Sequence, residues 1–235
     1  MTDSQTQRVA IVTGAGRGIG RATAAALDAA GYATVLVGRT AKTLEETAEP
    51  LTQPTLVHVA DITDAAQCQQ VIDATVERFG RVDVLANVAG FAKLMKIEQI
   101  TPEDWQQTVG TNLSAIVYLT SAVWPIFKKQ GGGYIVNVSS MSAYDPFPGL
   151  GAYGAAKLGV NMFTKVTADE GKKMGVRAVC VVPGAVETPM LRAMFSEKML
   201  PSEKTLDPAK VAKLILDCIE GRREVASGEA VTIVP

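Results

Sequence analysis

The sequence predicts a three-layer α/β fold in which a doubly wound parallel sheet of about seven strands is covered by helices on both faces. Three observations predict it. Short β-branched runs alternate with longer segments of helical period along all 235 residues; the runs are apolar on both faces; and no repeat, low-complexity tract or composition break divides the chain. Strands separated by helices run parallel through right-handed crossovers. The chain is therefore read as one domain, 1–235.

The elements follow in order. RVAIVT is the first strand, ATVLVG the second, TLVHVA the third and VDVLAN the fourth; GYIVNVSS, VRAVCVV and AVTIV complete the sheet. Helices are expected near 18–30, 41–48, 64–79, 102–130, 153–174 and 207–220. Two connections are longer than linkage requires, 139–152 and a mobile lid at about 183–206, and both follow carboxyl ends of strands, where open α/β sheets bind ligands.

Composition narrows the function. With 47% hydrophobic and 20% charged residues and a formal net charge of -1, nothing recommends nucleic acid as a partner. Cys68, Cys180 and Cys218 stand far apart, which reads as buried thiols in a reducing compartment. The opening MTDSQTQR is polar and no uninterrupted apolar run reaches membrane-spanning length, so no secretory signal and no membrane partner are expected; the protein is read as cytoplasmic. His58, the only histidine, lies in a strand taken to be buried, which leaves no imidazole cluster for a metal and no Ser-His-Asp triad; no GxSxG elbow is present.

Two stretches carry chemistry. The first strand runs into TGAGRGIG, residues 13 to 20, where Gly14, Gly18 and Gly20 let the backbone turn sharply beside a helix amino end, a cradle for a pyrophosphate with Arg17 and Ile19 inside it. No GK[ST] follows, which speaks against a Walker loop. At the end of the second strand, where a NAD site places an acid, the chain has Arg39; together with Arg17 it favours NADP(H) over NAD(H). In YGAAK, Tyr153 and Lys157 share a helix face, so the ammonium is expected to lower the phenol pKa and fit Tyr153 for proton exchange with a substrate oxygen. The surrounding Gly151, Ala152, Gly154, Ala155 and Ala156 are expected to clear space for cofactor and substrate.

Taken together, TGAGRGIG, NVAG at 87–90, the serines closing VNVSS, YGAAK and PGAVETP at 183–189 resemble the short-chain dehydrogenase/reductase family over essentially the whole chain. The resemblance implies a Rossmann fold and a catalytic set of Asn112, Ser140, Tyr153 and Lys157, with Ser140 holding the substrate oxygen and Asn112 a water behind Lys157. It also implies that Asp61 and Ile62 border the adenine, that Asn87, Ala89 and Gly90 floor the cofactor, and that Pro183, Gly184, Val186 and Thr188 pass the nicotinamide. Val88 stands where the family commonly has a second asparagine.

The implied activity is carbonyl reduction to a secondary alcohol by hydride transfer. Phe91, Leu94, Met95, Met141, Tyr144, Phe147, Leu150, Met190, Leu191, Met194 and Phe195 are expected at the mouth, suiting an apolar ketone or a 3-oxoacyl thioester. Lysine pairs at 128–129 and 172–173 resemble the basic sites with which 3-oxoacyl-carrier-protein reductases meet an acyl carrier protein, although lysines also suit helix carboxyl ends. Alternatives are an alcohol dehydrogenase working in oxidation and a non-catalytic NADP(H)-sensing regulator. Surplus apolar residues on the helices at 102–130 and 153–174, including Trp105, Val117, Trp124, Val160 and Phe163, resemble the family's dimer bundle, so a homodimer or homotetramer is expected.

Overall fold

A computed structural model describes residues 7–235. The segment MTDSQT, most of the stretch read as carrying no secretory signal, lies outside the described residues. Seven parallel strands form one sheet in the order β3-β2-β1-β4-β5-β6-β7. They are β1 (Val9–Thr13), β2 (Ala33–Gly38), β3 (Thr55–Val59), β4 (Val84–Asn87), β5 (Gly133–Val138), β6 (Val176–Pro183) and β7 (Ala230–Ile233). β1 pairs with both β2 and β4, so the winding reverses there and a crevice opens beyond the carboxyl ends of β1 and β4.

The helices are α1 (Gly18–Ala29), α2 (Ala41–Ala48), α3 (Ala65–Phe79), α4 (Pro102–Val109), α5 (Ala115–Gln130), α6 (Gly151–Gly171), α7 (Pro189–Met194) and α8 (Pro208–Ile219). On one face Ala24 and Leu27 of α1, Leu44 of α2 and Leu214 and Ile215 of α8 close over Val12, Val136 and Val181 of the sheet. On the other, Val71 and Ile72 of α3 and Leu119, Val123 and Phe127 of α5 close over Ile11, Val35 and Ile135. The central strands thus bury both faces, which explains their unbroken apolar runs. The three cysteines are free and buried.

Several expectations change. β3 is an edge strand, so His58 is half-buried rather than part of the core, and partial burial lowers its pKa. The expected helix at 102–130 is interrupted by a π turn, Gly110–Ser114, and the 153–174 helix starts earlier, at Gly151, and ends in a 3-10 turn. The run Pro102–Gln130 is long and apolar by composition, and here its inner side chains pack the sheet. Val160 belongs to the core, and the exposed apolar strip on α4, α5 and α6 consists of Trp105, Tyr118, Leu158, Met162 and Val166.

Helix starts show which amino ends are occupied. The Asp64 carboxylate accepts from the Ala66 and Gln67 amides, Thr101 caps α4, and Asp207 caps α8. Asp64→Ala should cost about 1 kcal/mol through loss of the α3 cap. The melting temperature should fall by about 2–4 °C, read by thermal unfolding.

Candidate active site

The crevice at the switch point is a cavity of ≈ 960 Å³. Its first wall is the glycine turn. Gly14 (φ +65) and Gly18 (φ +50) occupy the left-handed region, and a Cβ on them would lie 2.8 Å from Ala89 Cα and 2.9 Å from Thr188 Cγ2. A Cβ on Gly20 would meet the Gly14 carbonyl oxygen at 2.1 Å. Bare backbone is what lets this turn fit between the end of β4 and residue 188. Unlike α3, α4 and α8, helix α1 begins without a side-chain cap, so its amino-end N–H groups remain available to an anion.

Arg17 and Arg39 line the same end and are exposed. Among the described residues neither forms an ion pair, whereas nearby Arg21 is committed to the Gly16 carbonyl, Thr47 and Glu46. The Asp61 carboxyl is held below its ordinary value, first by the Thr63 N–H and further by Arg39. Thr40 and Thr43, which the sequence reading missed, also line this end; their signal was their place one and four residues after Arg39. Free amino-end donors, glycine backbone and two unpaired guanidinium groups fit a phosphorylated dinucleotide.

The opposite end is built from β5 and α6. Ser140 follows β5, its Oγ accepting from the Ser142 N–H at 3.2 Å and donating to Ser142 Oγ at 3.3 Å. The Ser140 hydroxyl also acts on the Tyr153 phenol, favouring its ionised form. Lys157, four residues on from Tyr153, is buried with its Nζ 5.7 Å from the Tyr153 ring centre and donates to the Val138 carbonyl at 2.7 Å. Ser139 is structural, donating to the Lys157 carbonyl at 3.0 Å. The small residues here serve packing: a Cβ on Gly154 would lie 2.6 Å from the Ser142 carbonyl oxygen, so Gly154 makes room for the serine turn rather than for a ligand.

Electrostatics correct one expectation. Burial pushes the Tyr153 phenol up to about 12, with the Ser140 hydrogen bond acting downward, and burial pulls Lys157 down to about 8. The expected lowering of Tyr153 by Lys157 does not appear, because the ammonium is turned to the Val138 carbonyl.

Of the expected site residues, Gly14, Arg17, Gly18, Ile19, Gly20, Arg39, Asp61, Ile62, Ala89, Gly90, Ser140, Tyr153, Lys157, Pro183, Gly184, Val186 and Thr188 all line the cavity. Asn87 and Asn112 stand behind it. The Asn87 amide donates to Asn137 Oδ1 at 2.8 Å. Asn112, in the π turn, donates to the Phe91 and Thr108 carbonyls at 2.7 and 2.8 Å and accepts from the Phe91 N–H at 3.2 Å. Its Oδ1 comes within 3.3 Å of a Cβ built on Gly90, and Lys157 Nζ within 3.9 Å of the same point, so both groups converge under Gly90.

Residues 183–206 are a folded cap containing α7 rather than an unstructured loop. Thr188 caps α7, Val186 bridges to Leu206, and the Arg192 guanidinium pairs with Glu187 and Glu197 while donating to the Leu200 carbonyl at 2.6 Å. Phe195 of the cap meets Phe147 edge to face at 5.5 Å. Phe91, Met141, Phe147, Leu150, Met190, Leu191, Met194 and Phe195 line the cavity as expected. Leu94, Met95 and Tyr144 do not; Leu94 packs against Leu150 and Tyr153, and Tyr144 faces outward. Ser142, Asp145, Met199 and Leu200 join the lining without having been foreseen.

Fold and site together define a nucleotide-binding oxidoreductase domain of the Rossmann type. The short chain dehydrogenase family pattern matches residues 8–199, and the chain belongs to that family. An uncharacterized oxidoreductase of Staphylococcus epidermidis is 32% identical over 230 residues, with 97% of each chain covered. A 3-oxoacyl-[acyl-carrier-protein] reductase of Thermotoga maritima is 33% identical over 236 residues, with 96% of each covered. The crystal structure of a 3-ketoacyl-(acyl-carrier-protein) reductase from Brucella melitensis complexed with NADH superposes with a TM-score of 0.91 at 30% identity, covering 98% of each chain.

The buried ammonium yields a stability prediction. A lysine whose native pKa is about 8 against 10.5 destabilises the native state by about 3 kcal/mol while it is charged there. Lys157→Met should therefore raise the melting temperature at pH 7. The native state binds this proton less tightly than the unfolded chain, so wild-type stability rises between pH 8 and pH 10.5 and the variant's advantage should shrink across that window. Thermal unfolding at pH 7 and pH 10 reads both effects.

Proposed function

We propose that the protein is an NADP(H)-dependent reductase that converts a carbonyl to a secondary alcohol, with Tyr153 as the general acid. The observation that carries this reading is the convergence of Ser140, Tyr153 and Lys157 on one end of the cavity whose other end holds the glycine turn and the unpaired Arg17 and Arg39. A nicotinamide dinucleotide supplies the hydride when bound. The Ser140 hydroxyl holds the substrate oxygen, and the Tyr153 phenol gives its proton to that oxygen. Burial raises the Tyr153 phenol pKa, so it carries the proton that an acid must give. Lys157 holds the end of β5 behind Ser140 through the Val138 carbonyl, and Asn112 supports the floor beneath it.

Arg17 and Arg39 are the 2′-phosphate contacts in this reading, with Gly14, Gly18, Ile19 and Gly20 at the pyrophosphate, Asp61 and Ile62 at the adenine, Ala89 and Gly90 along the floor backed by Asn87, and Pro183, Gly184, Val186 and Thr188 at the nicotinamide. The substrate is an apolar ketone or a 3-oxoacyl thioester, a reading supported by the Met- and Phe-lined wall and by relatives named as 3-oxoacyl carrier-protein reductases. The exposed pairs Lys128 and Lys129, and Lys172 and Lys173, are where an acyl carrier protein would dock. The apolar strip from Trp105 to Val166 is the surface through which the chain forms a homodimer, and three buried free thiols suit the cytoplasm.

Titration with NADPH and NADH, followed by turnover on ketones and a 3-oxoacyl thioester, tests the proposal. NADPH should bind at least about tenfold more tightly than NADH, and Arg39→Asp should remove most of that difference, as expected for charge-assisted contacts. Tyr153→Phe should lower kcat by about 10²–10⁴-fold with cofactor affinity retained. Binding without turnover on any ketone, unaltered in Tyr153→Phe, would instead establish a cofactor-sensing protein.

For the assembly, Met162→Glu places a charge in the apolar strip and should shift the protein from dimer to monomer in light scattering. A wild-type monomer would overturn that assignment.

A further inference from the structure

The substrate half of the cavity is electrically one-sided. Its walls are apolar, contributed by Met141, Phe147, Met190 and Phe195 among others, and on that side of Tyr153 the only ionisable side chain of the lining is Asp145. The Asp145 carboxylate is exposed at the rim, on the loop after β5, and among the described residues it has no hydrogen-bond or ion-pair partner; only its backbone N–H is engaged, donating to the Met141 carbonyl at 2.8 Å. The cap's one arginine is outside the lining and already used. Arg192, on the cap, pairs with Glu187 and Glu197 and donates to the Leu200 carbonyl, so its charge is neutralised and its donors are taken. Lys157 stands beside Tyr153 but is buried and turned to the Val138 carbonyl.

A carboxylate entering this half would meet low-dielectric walls, a like charge at the rim and no free cation. An ammonium would meet an unpaired opposite charge. From this we propose that Asp145 is a specificity-determining residue that orders substrates by charge, amine-bearing ketones ahead of neutral ketones and neutral ketones ahead of keto acids. The inference rests on the reductase reading and refines it: a 3-oxo ester or thioester is accepted and the corresponding free 3-oxo acid is rejected. Two unit charges about 4 Å apart near a protein surface interact strongly enough to separate such substrates by about tenfold or more, and salt weakens the effect.

The test uses three aryl methyl ketones of one shape, carrying a dimethylaminomethyl, an isobutyl or a carboxymethyl group at the remote end. For each, kcat/KM with NADPH and the dissociation constant from calorimetry are measured at low and high salt, for wild type, Asp145→Asn and Asp145→Lys. The expected result is an amine-to-acid ratio of about tenfold or more in the wild type, compressed at high salt, moving towards unity in Asp145→Asn and inverting in Asp145→Lys. Because binding is read apart from turnover, a charge order in the dissociation constants without reduction of any ketone would support the role of Asp145 and count against the reductase reading alone. Equal wild-type affinities for amine and acid, or a ratio unmoved by both substitutions, would overturn the inference.

Discussion

An ammonium group buried under the sheet's carboxyl edge is the constraint from which the rest of the site follows. Lys157 is 2% exposed, and its charge is satisfied by the Val138 carbonyl at the last residue of β5. Burial of a cation without a carboxylate partner opposes stability and lowers its pKa, so the surroundings must be fixed tightly enough to hold it. The Ser139 hydroxyl donates to the Lys157 carbonyl, and Gly90 leaves room beside its Nζ where Asn112 arrives from the opposite helix. Strand end, helix and π turn are thereby held together around one charge. The π turn has a physical reason in this setting, since it occurs where Asn112 bonds both the helix backbone and the loop after β4.

The same crowding explains where small residues stand. Around Tyr153 they admit protein backbone, the Ser142 carbonyl above all, and this contact fixes Ser140 against the phenol. In the phosphate turn they admit Ala89 and Thr188, so the turn, the end of β4 and the cap meet at the glycines. Both ends of the cavity are therefore held by backbone close to backbone, a geometry that side-chain substitution cannot reproduce.

Most of the fold and of the cofactor end was legible because these constraints are written in residue types. Unbroken Val and Ile runs mark strands buried on both faces, and glycines at 14, 18 and 20 mark positions that only glycine can fill. Tyr153, Lys157 and Ser140 were found by their spacing. What could not be read depends on which elements become neighbours. His58 was placed in the core because nothing local to β3 says that it is an edge strand, and Val160 was placed outside because its helix carries apolar residues on more than one face. Asn87 and Asn112 were identified by position, but whether they touch the cavity or stand behind it depends on Asn137 and Phe91, partners 50 and 21 residues away. Lys157 was rightly paired with Tyr153, yet the direction of its ammonium is set by the Val138 carbonyl, a backbone atom without a sequence signature.

The substrate half obeys different physics. Its walls come from two segments outside the sheet, the loop after β5 and the cap 183–206, which meet each other through the Phe147–Phe195 edge contact and are held internally by Arg192 with its two glutamates. The cap is anchored at its two ends, where Val186 and Leu206 enter the core beneath it, where Thr188 meets the glycine turn and where the Gly184 N–H donates to the Ile233 carbonyl. Side chains on such segments can change without moving Lys157 or the phosphate turn, whereas the reverse does not hold, since a Cβ at Gly18 would displace Thr188 and the cap with it. The motif residues are thus fixed by the scaffold and the other half of the cavity by surface-mounted side chains, which is why the first are plain in the sequence and the second must be argued from charge and shape.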